Sequence, residues 1–437
     1  MRIEYLKKKN ILHITPHLGG GVGSVLLNYL AFVQKDKSQV HSVATLDYAN
    51  ENSLQKSQET GFVLFSDMHK DVSGLLRLII DADIVLIHFW NHPLLYDFLV
   101  RNELPVSRTI FWSHISGFTA PNVFTDKVLQ YPDRFVFTTP LSKDAKEVVA
   151  LKDKSHLRTV WSTGGVEHIK DIQPKAHQGF NIGYIGTVDY SKMHPDFIKI
   201  CAKIDIPEAK FIVCGAGNYS AIQKQAQELG VLDKIEFKGQ VADIKEYLEI
   251  FDVFGYPLNP SHYGTCDQVL QEAMASGVVP VVLDNPMENY MLQEGNIGVV
   301  AKNEQEYVCA IKKLYKEPQL RQELANKAKE YAISKYCVEN LAKEWDEIFD
   351  EVMQLPKTAK KWNIANEEVT AKDVFIESLG HFGEFFESES AENNKKFKEL
   401  VKLPNWQSNT KGTPHQYCNF FKDDQGLAKI SRLMKEF

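Results

Sequence analysis

Short β-branched runs alternate with longer amphipathic stretches over the first 300 residues, and this rhythm leaves few architectures open. Residues 11–15, 40–46, 62–65, 84–88, 109–113, 135–138 and 159–161 read as strands. Between several of them apolar residues recur at helical spacing, as in Val25, Leu26, Tyr29, Leu30 and Val33. Strands that alternate with helices predict a parallel sheet covered on both faces.

The stretch 163–180 is mostly polar, contains Pro174 and breaks the pattern, so it reads as a linker. The alternation then restarts, with strands expected at 182–185, 211–214, 235–237, 253–256, 278–283 and 297–300. We therefore expect an α/β chain of two Rossmann-like, doubly wound domains, covering 1–168 and 169–336. Such sheets bind ligands at the carboxyl ends of their strands, so two facing domains would form a cleft. After Val300 the strands are expected to stop. Residues 337–354 would form a closing helix, and 355–437 would be a mainly helical extension. Its aromatic clusters (Phe382, Phe385 and Phe386; Tyr417, Phe420 and Phe421) suggest an ordered, packed tail.

A net charge of −7 argues against nucleic acid as a partner, since binders of that class carry a basic excess. The most apolar stretch, 75–90, is interrupted by Arg77, Asp81 and Asp83 and cannot cross a bilayer as a helix. The amino-terminal residues 1–10 lead straight into a strand pattern, without the apolar region of a signal peptide. Six cysteines are scattered, with no Cys-x-x-Cys pair. That pattern suits reduced thiols and gives no zinc framework, so the expected compartment is the cytoplasm. Cys201 and Cys214 sit in apolar runs and are expected in the core; Cys266 reads as a packed small residue, not a nucleophile.

Glycine-rich turns follow several of the expected strands. The first, residues 17–24 (HLGGGVGS), places Gly20 and Gly21 ahead of a helix. Backbone amides there can approach an anion, aided by the helix dipole. The turn lacks the last glycine of the dinucleotide fingerprint. In the second domain, Gly186 is followed by Lys192 before a helix, and a second turn carries Gly215. Farther on, 267–276 reads as a helix capped by Thr265 or Asp267 and closed by Gly277. Glu272 lies about one turn into it, where a carboxylate could reach ribose hydroxyls while a diphosphate occupies the helix start.

The run from Glu272 to Val282 (EAMASGVVPVV), with Gly186, Lys192, Gly215, Gly239, Pro257, Glu288 and Gly295 in matching order, resembles the family 4 retaining glycosyltransferases of GT-B fold. The resemblance covers about residues 10–350 and is strongest in the second domain. It implies that Glu272 meets the donor ribose and Lys192 the diphosphate. It further implies that the turn Gly239, Gln240 and Val241 lies near the base, and that Gly264, Thr265, Cys266, Asp267 and Gln268 line the donor phosphate and sugar. His114 falls where the family has an active-site histidine. Two positions depart from the pattern. Gly264 stands where the family has an acid, and Thr187 where it has an arginine. Asp267 or His262 could compensate.

The resemblance implies transfer of a sugar from a nucleotide diphosphate donor, with no metal and no other cofactor. The acceptor is left open among carbohydrate, lipid-linked and protein classes. A peripheral membrane contact at the inner face also stays open. The alternative is a glycosyltransferase-like scaffold that binds a partner protein and transfers nothing.

Overall fold

The computed structural model describes residues 8–35, 38–217, 219–364, 368–387 and 390–436. Two compact units emerge. The first takes in the chain up to Gly164, Tyr263–Thr265 and the chain from Val338 onward. The second comprises Gly165–His262 and Cys266–Cys337. Each is built on one parallel sheet, as the alternation predicts.

The sheet of the first unit has seven strands. From one edge they run Leu157–Thr159, Arg134–Phe137, Thr109–Ser113, Ile84–Phe89, Lys9–Thr15, Gln39–Thr45 and Val63–Phe65. All neighbours are parallel. Successive side chains in a strand point to opposite faces, and here both faces are buried. Ile11, Val43, Ile84, Leu86, Ile110 and Trp112 pack with residues of helices Gly20–Val33 and Val338–Met353. Leu12, Ile14, Val85, Ile87, Phe89 and Phe111 pack on the other face with residues of Val72–Asp81, Pro93–Arg101 and Ala371–Leu379. Double burial explains why these strands are almost continuously apolar in sequence.

The extension is mainly helical and belongs to this core. Trp362, Phe375, Trp406, Tyr417 and Ile430 are all buried in the cluster that holds Phe89 and Phe111. One expectation needs correction here, because strands do not stop at Val300. Val299–Ala301 ends the second sheet, but Thr358–Lys360 pairs antiparallel with Leu104–Ser107. Three residues are too few to show alternation in sequence, and the register is irregular at this pair.

The second unit carries a six-stranded parallel sheet. Its order is Ile235–Gly239, Ala209–Cys214, Phe180–Ile185, Val253–Tyr256, Val279–Leu283 and Val299–Ala301. Helix Gln268–Ser276 has buried residues over most of its length. Helix Pro318–Lys335 packs against it and buries Ala325, Ala328 and Ala332. Among the described residues no helix is long and apolar enough to cross a membrane.

Candidate functional site

The second sheet gathers its glycine turns at the carboxyl ends of three adjacent strands. Gly186 and Thr187 follow Phe180–Ile185, Gly215 follows Ala209–Cys214, and Gln240 and Val241 follow the strand that ends in Gly239. Hydrogen bonds lace the turns together. Gly186 N donates to Cys214 O (2.9 Å), Val188 N to Ala216 O (2.9 Å) and Gly215 N to Gly239 O (2.7 Å). Gly215 has φ +142°, and a Cβ there would sit 1.8 Å from the Gly186 carbonyl oxygen. Its glycine is thus required by packing alone, whatever it binds. Around Gly239 a Cβ would meet nothing within 4 Å, and only its φ of +71° favours glycine.

Helix Gln268–Ser276 begins beside a network of charged groups. Asp267 occupies the N-cap position, but its carboxylate makes no capping bond. It accepts from Tyr256 Oη (2.9 Å) and lies 3.3 Å from Lys192 Nζ instead. Nor does Thr265 cap the helix, since its hydroxyl is 2.9 Å from Thr138 Oγ1. The expectation of a side-chain cap is therefore corrected: a stronger partner, an ammonium, takes the carboxylate. Gly277 closes the helix in the left-handed conformation, as expected.

Burial alone would push the Asp267 carboxyl up; Lys192, His262 and the Tyr256 hydroxyl outweigh it and hold the group below the usual carboxylate range. His262 Nε2 lies 3.0 Å from Glu288 Oε2. Burial disfavours its cation, but Glu288, with help from Asp267, more than offsets this and raises the imidazole above its ordinary value. Both groups suggested as substitutes for an acid at position 264 are thus engaged in ion pairs of their own. Glu272 is buried, accepts from Gln268 Nε2 (2.9 Å) and lies 3.6 Å from His168 Nε2. His168 had no signal in the sequence, lying in the polar stretch read as a linker. Cys266 is half-buried, with Sγ 3.0 Å from Gln271 Nε2. The chemistry on offer here is anion binding by a lysine at the positive end of a helix, with a carboxylate one turn further on.

Gly264 and Thr265 group with the first unit, where Ser116 N donates to Tyr263 O (3.0 Å). Gly20 and Gly21 open helix Gly20–Val33, are exposed, and have no side-chain cap before them. His114 follows strand Thr109–Ser113 and is buried. Near it stand residues that sequence reading left unweighed. His17 stacks on Tyr48 with ring centroids 5.2 Å apart and meets Trp90 edge-on at 5.3 Å. Trp90 in turn lies 6.2 Å from His92 and from His114. His17, Trp90 and His114 each follow a different strand end, which no local motif reveals. Burial, reinforced by Lys411, lowers His17 to about 4; burial, reinforced by His17, lowers His92 to about 3.

Elsewhere in the second unit, His194, Asp196 and Glu304 bring ligand atoms within 4.8 Å of one another. Lys199 and Lys203 already pair with Asp196 and Glu304. Cys201 and Cys214 are buried, and burial pushes both thiols up, Cys214 to about 12.

Comparison with known proteins agrees with this architecture. The family model for glycosyl transferases group 1 matches residues 166–331. An uncharacterised glycosyltransferase of Methanocaldococcus jannaschii is 27% identical over 179 residues, 39% of this chain and 45% of that protein; the match thus spans less than half its length. Among solved structures, Anabaena HepE in complex with UDP and glucose superposes with a TM-score of 0.64 at 13% identity. That match covers 78% of this chain and all of HepE. Sucrose-phosphate synthase of Thermosynechococcus elongatus gives 0.62 at 14% identity, covering 79% of this chain and all of that one. The fold is that of GT-B glycosyltransferases, and residues 166–331 are a glycosyl transferases group 1 domain.

Proposed function

We propose that this chain is a retaining glycosyltransferase that takes its sugar from a nucleotide diphosphate donor held by the second unit. The observation that carries the reading is Lys192 beside the start of helix Gln268–Ser276, inside the matched domain, in a unit whose adjacent strand ends carry glycine turns. In transfer, the bond from the anomeric carbon to the diphosphate oxygen breaks and an acceptor hydroxyl takes its place. Negative charge grows on the departing diphosphate, and a fixed ammonium with helix amides is suited to stabilise it. Glu272 would hold the ribose hydroxyls. His114, with the rings of His17 and Trp90, would face the acceptor. No metal enters this scheme. HepE binds UDP, so uridine diphosphate sugars are the first donors to test.

Titration calorimetry across uridine, guanosine and adenosine diphosphate sugars tests the reading, followed by product analysis with sugar acceptors. We expect one donor to bind and to be turned over with retention at the anomeric carbon. Glu272→Ala should weaken that donor about ten-fold or more, the worth of a charged hydrogen bond. A chain that binds no donor and co-purifies with a partner protein would be a scaffold instead.

A further inference from the structure

Four histidines on adjacent strands of the first sheet form a line that the proposed chemistry does not by itself require. His41 pairs in register with Ile11, two residues before His13. His13 pairs with Leu86, two before His88; His88 pairs with Trp112, two before His114. Residues two apart share a face of a strand, so the four rings descend the sheet as a diagonal on one face. That face is the one covered by helix Val338–Met353. All four are buried.

The ring nitrogens are within hydrogen-bond reach throughout. His114 Nε2 lies 3.0 Å from His88 Nδ1, His88 Nε2 3.2 Å from His13 Nδ1, and His13 Nε2 2.9 Å from His41 Nδ1. His41 Nε2 lies 3.0 Å from Gln39 Oε1, and Gln39 Nε2 donates to Asp346 Oδ1 at 2.6 Å.

A carboxylate only accepts, so Gln39 must turn its amide nitrogen to Asp346 and its oxygen to His41. The proton of His41 must then sit on Nε2. A neutral imidazole has one donor and one acceptor, so Nδ1 of His41 accepts from Nε2 of His13. The same logic passes through His88 to His114, which donates from Nε2 and keeps Nδ1 as an acceptor. Burial, with neighbouring histidines, holds His13 and His114 well below the usual range, and burial lowers His88 to about 3. His13, His88 and His114 are thus neutral at physiological pH, and the direction of the line is set at the Gln39 end.

We propose that Asp346 and Gln39 are positioning residues for His114: through the histidine chain they fix its tautomer, so that it offers the Nδ1 lone pair at the carboxyl end of the sheet to a hydroxyl of the acceptor. The identity of that hydroxyl rests on the transferase reading above; the tautomer order does not.

The test uses the full chain labelled with 15N-histidine. Long-range proton–nitrogen correlation spectra report which ring nitrogen carries the proton. All four buried rings should be neutral and protonated at Nε2. Gln39→Lys places a donor against His41 Nε2 while keeping a partner for Asp346, and should reverse all four rings to Nδ1–H. It should also lower kcat/KM for transfer about 100-fold with donor affinity unchanged. Asp346→Asn is the milder variant, since an amide can meet Gln39 with either end; it should give a mixture of both tautomers. Wild-type rings protonated at Nδ1, or already mixed, would overturn the chain. Reversed tautomers with unchanged transfer would overturn the positioning of His114. A wild type that transfers no sugar would sink the transferase reading instead, while the spectra still decide the tautomer order.

Discussion

Lys192 and Asp267 show how far a single side chain's role depends on its partner. Sequence alone suggests a simple removal of Lys192, but the structure pairs its ammonium with a carboxylate only 12% exposed. Lys192→Ala would strand that charge, a loss of about 3–5 kcal/mol for a buried pair, and would confuse stability with catalysis. The double variant Lys192→Met, Asp267→Asn removes both charges together. We expect it to melt within a few degrees of the wild type, yet to lose about 100-fold in kcat/KM if the ammonium stabilises the leaving diphosphate. Kinetics at wild-type level in the double variant would assign the pair to stability alone. The neighbouring pair obeys its own pH rule. His262 is raised by Glu288, so its stabilising contribution is full below the ordinary histidine value and is lost as pH rises through the raised one.

At the level of elements, the glycine turns of the second sheet separate into two kinds. Gly215 sits where the turn after Ala209–Cys214 presses on the turn after Phe180–Ile185, and Gly217 likewise lies against the Val188 carbonyl. A methyl group at 215 meets backbone, which cannot move aside as a flexible side chain would. Gly215→Ala should therefore lower stability by several kcal/mol, on the order of an overpacked core site with strained backbone. Gly239→Ala meets no neighbour and should cost only about 1–2 kcal/mol for its positive φ. Thermal melts of the two variants side by side give the check; equal losses would remove the steric explanation. The signal of a glycine turn in sequence was genuine in both cases, but only the backbone contacts say which glycine serves packing.

On the scale of the whole molecule, the carboxyl-terminal extension and the buried histidines make two further expectations. Trp362, Phe375, Trp406 and Tyr417 belong to the core that includes Phe89 and Phe111. Burial of large side chains is worth about 1.5–3 kcal/mol each, so these four contribute about as much as the net stability of a typical domain. A chain ending at Leu355 should be insoluble or melt far below the full chain, and an unchanged melting temperature would make the extension peripheral. The second expectation concerns acid. His13, His88, His92 and His114 are buried in the first unit and lowered, His88 and His92 to about 3. Below about pH 6.5 the unfolded chain takes up protons that the folded one refuses, so stability falls with falling pH at about 1.4 kcal/mol per unit and histidine. Together they should remove roughly 5–6 kcal/mol by about pH 5.5, enough to bring on unfolding near pH 5. Tryptophan fluorescence against pH reads this out, and a first unit still folded at pH 4 would contradict it.

Sequence by itself determined the two parallel sheets and most of their strands, because burial on both faces writes a continuous apolar run and the intervening helices write their own period. It also marked Lys192, Glu272 and the glycine turns, since those rest on local chemistry at strand ends and a helix start. Other features depend on contacts between segments far apart in the chain. Leu104–Ser107 and Thr358–Lys360 pair across more than 250 residues, and neither is long enough to show a period. Asp267 looks like a cap until Lys192 and Tyr256 are brought to it. Sequence singles out His114, but nothing in it links that residue to His13, His41 and His88. Only the register of four strands, set by core packing on both faces of the sheet, steps each ring two residues past the last and joins them into one hydrogen-bonded line.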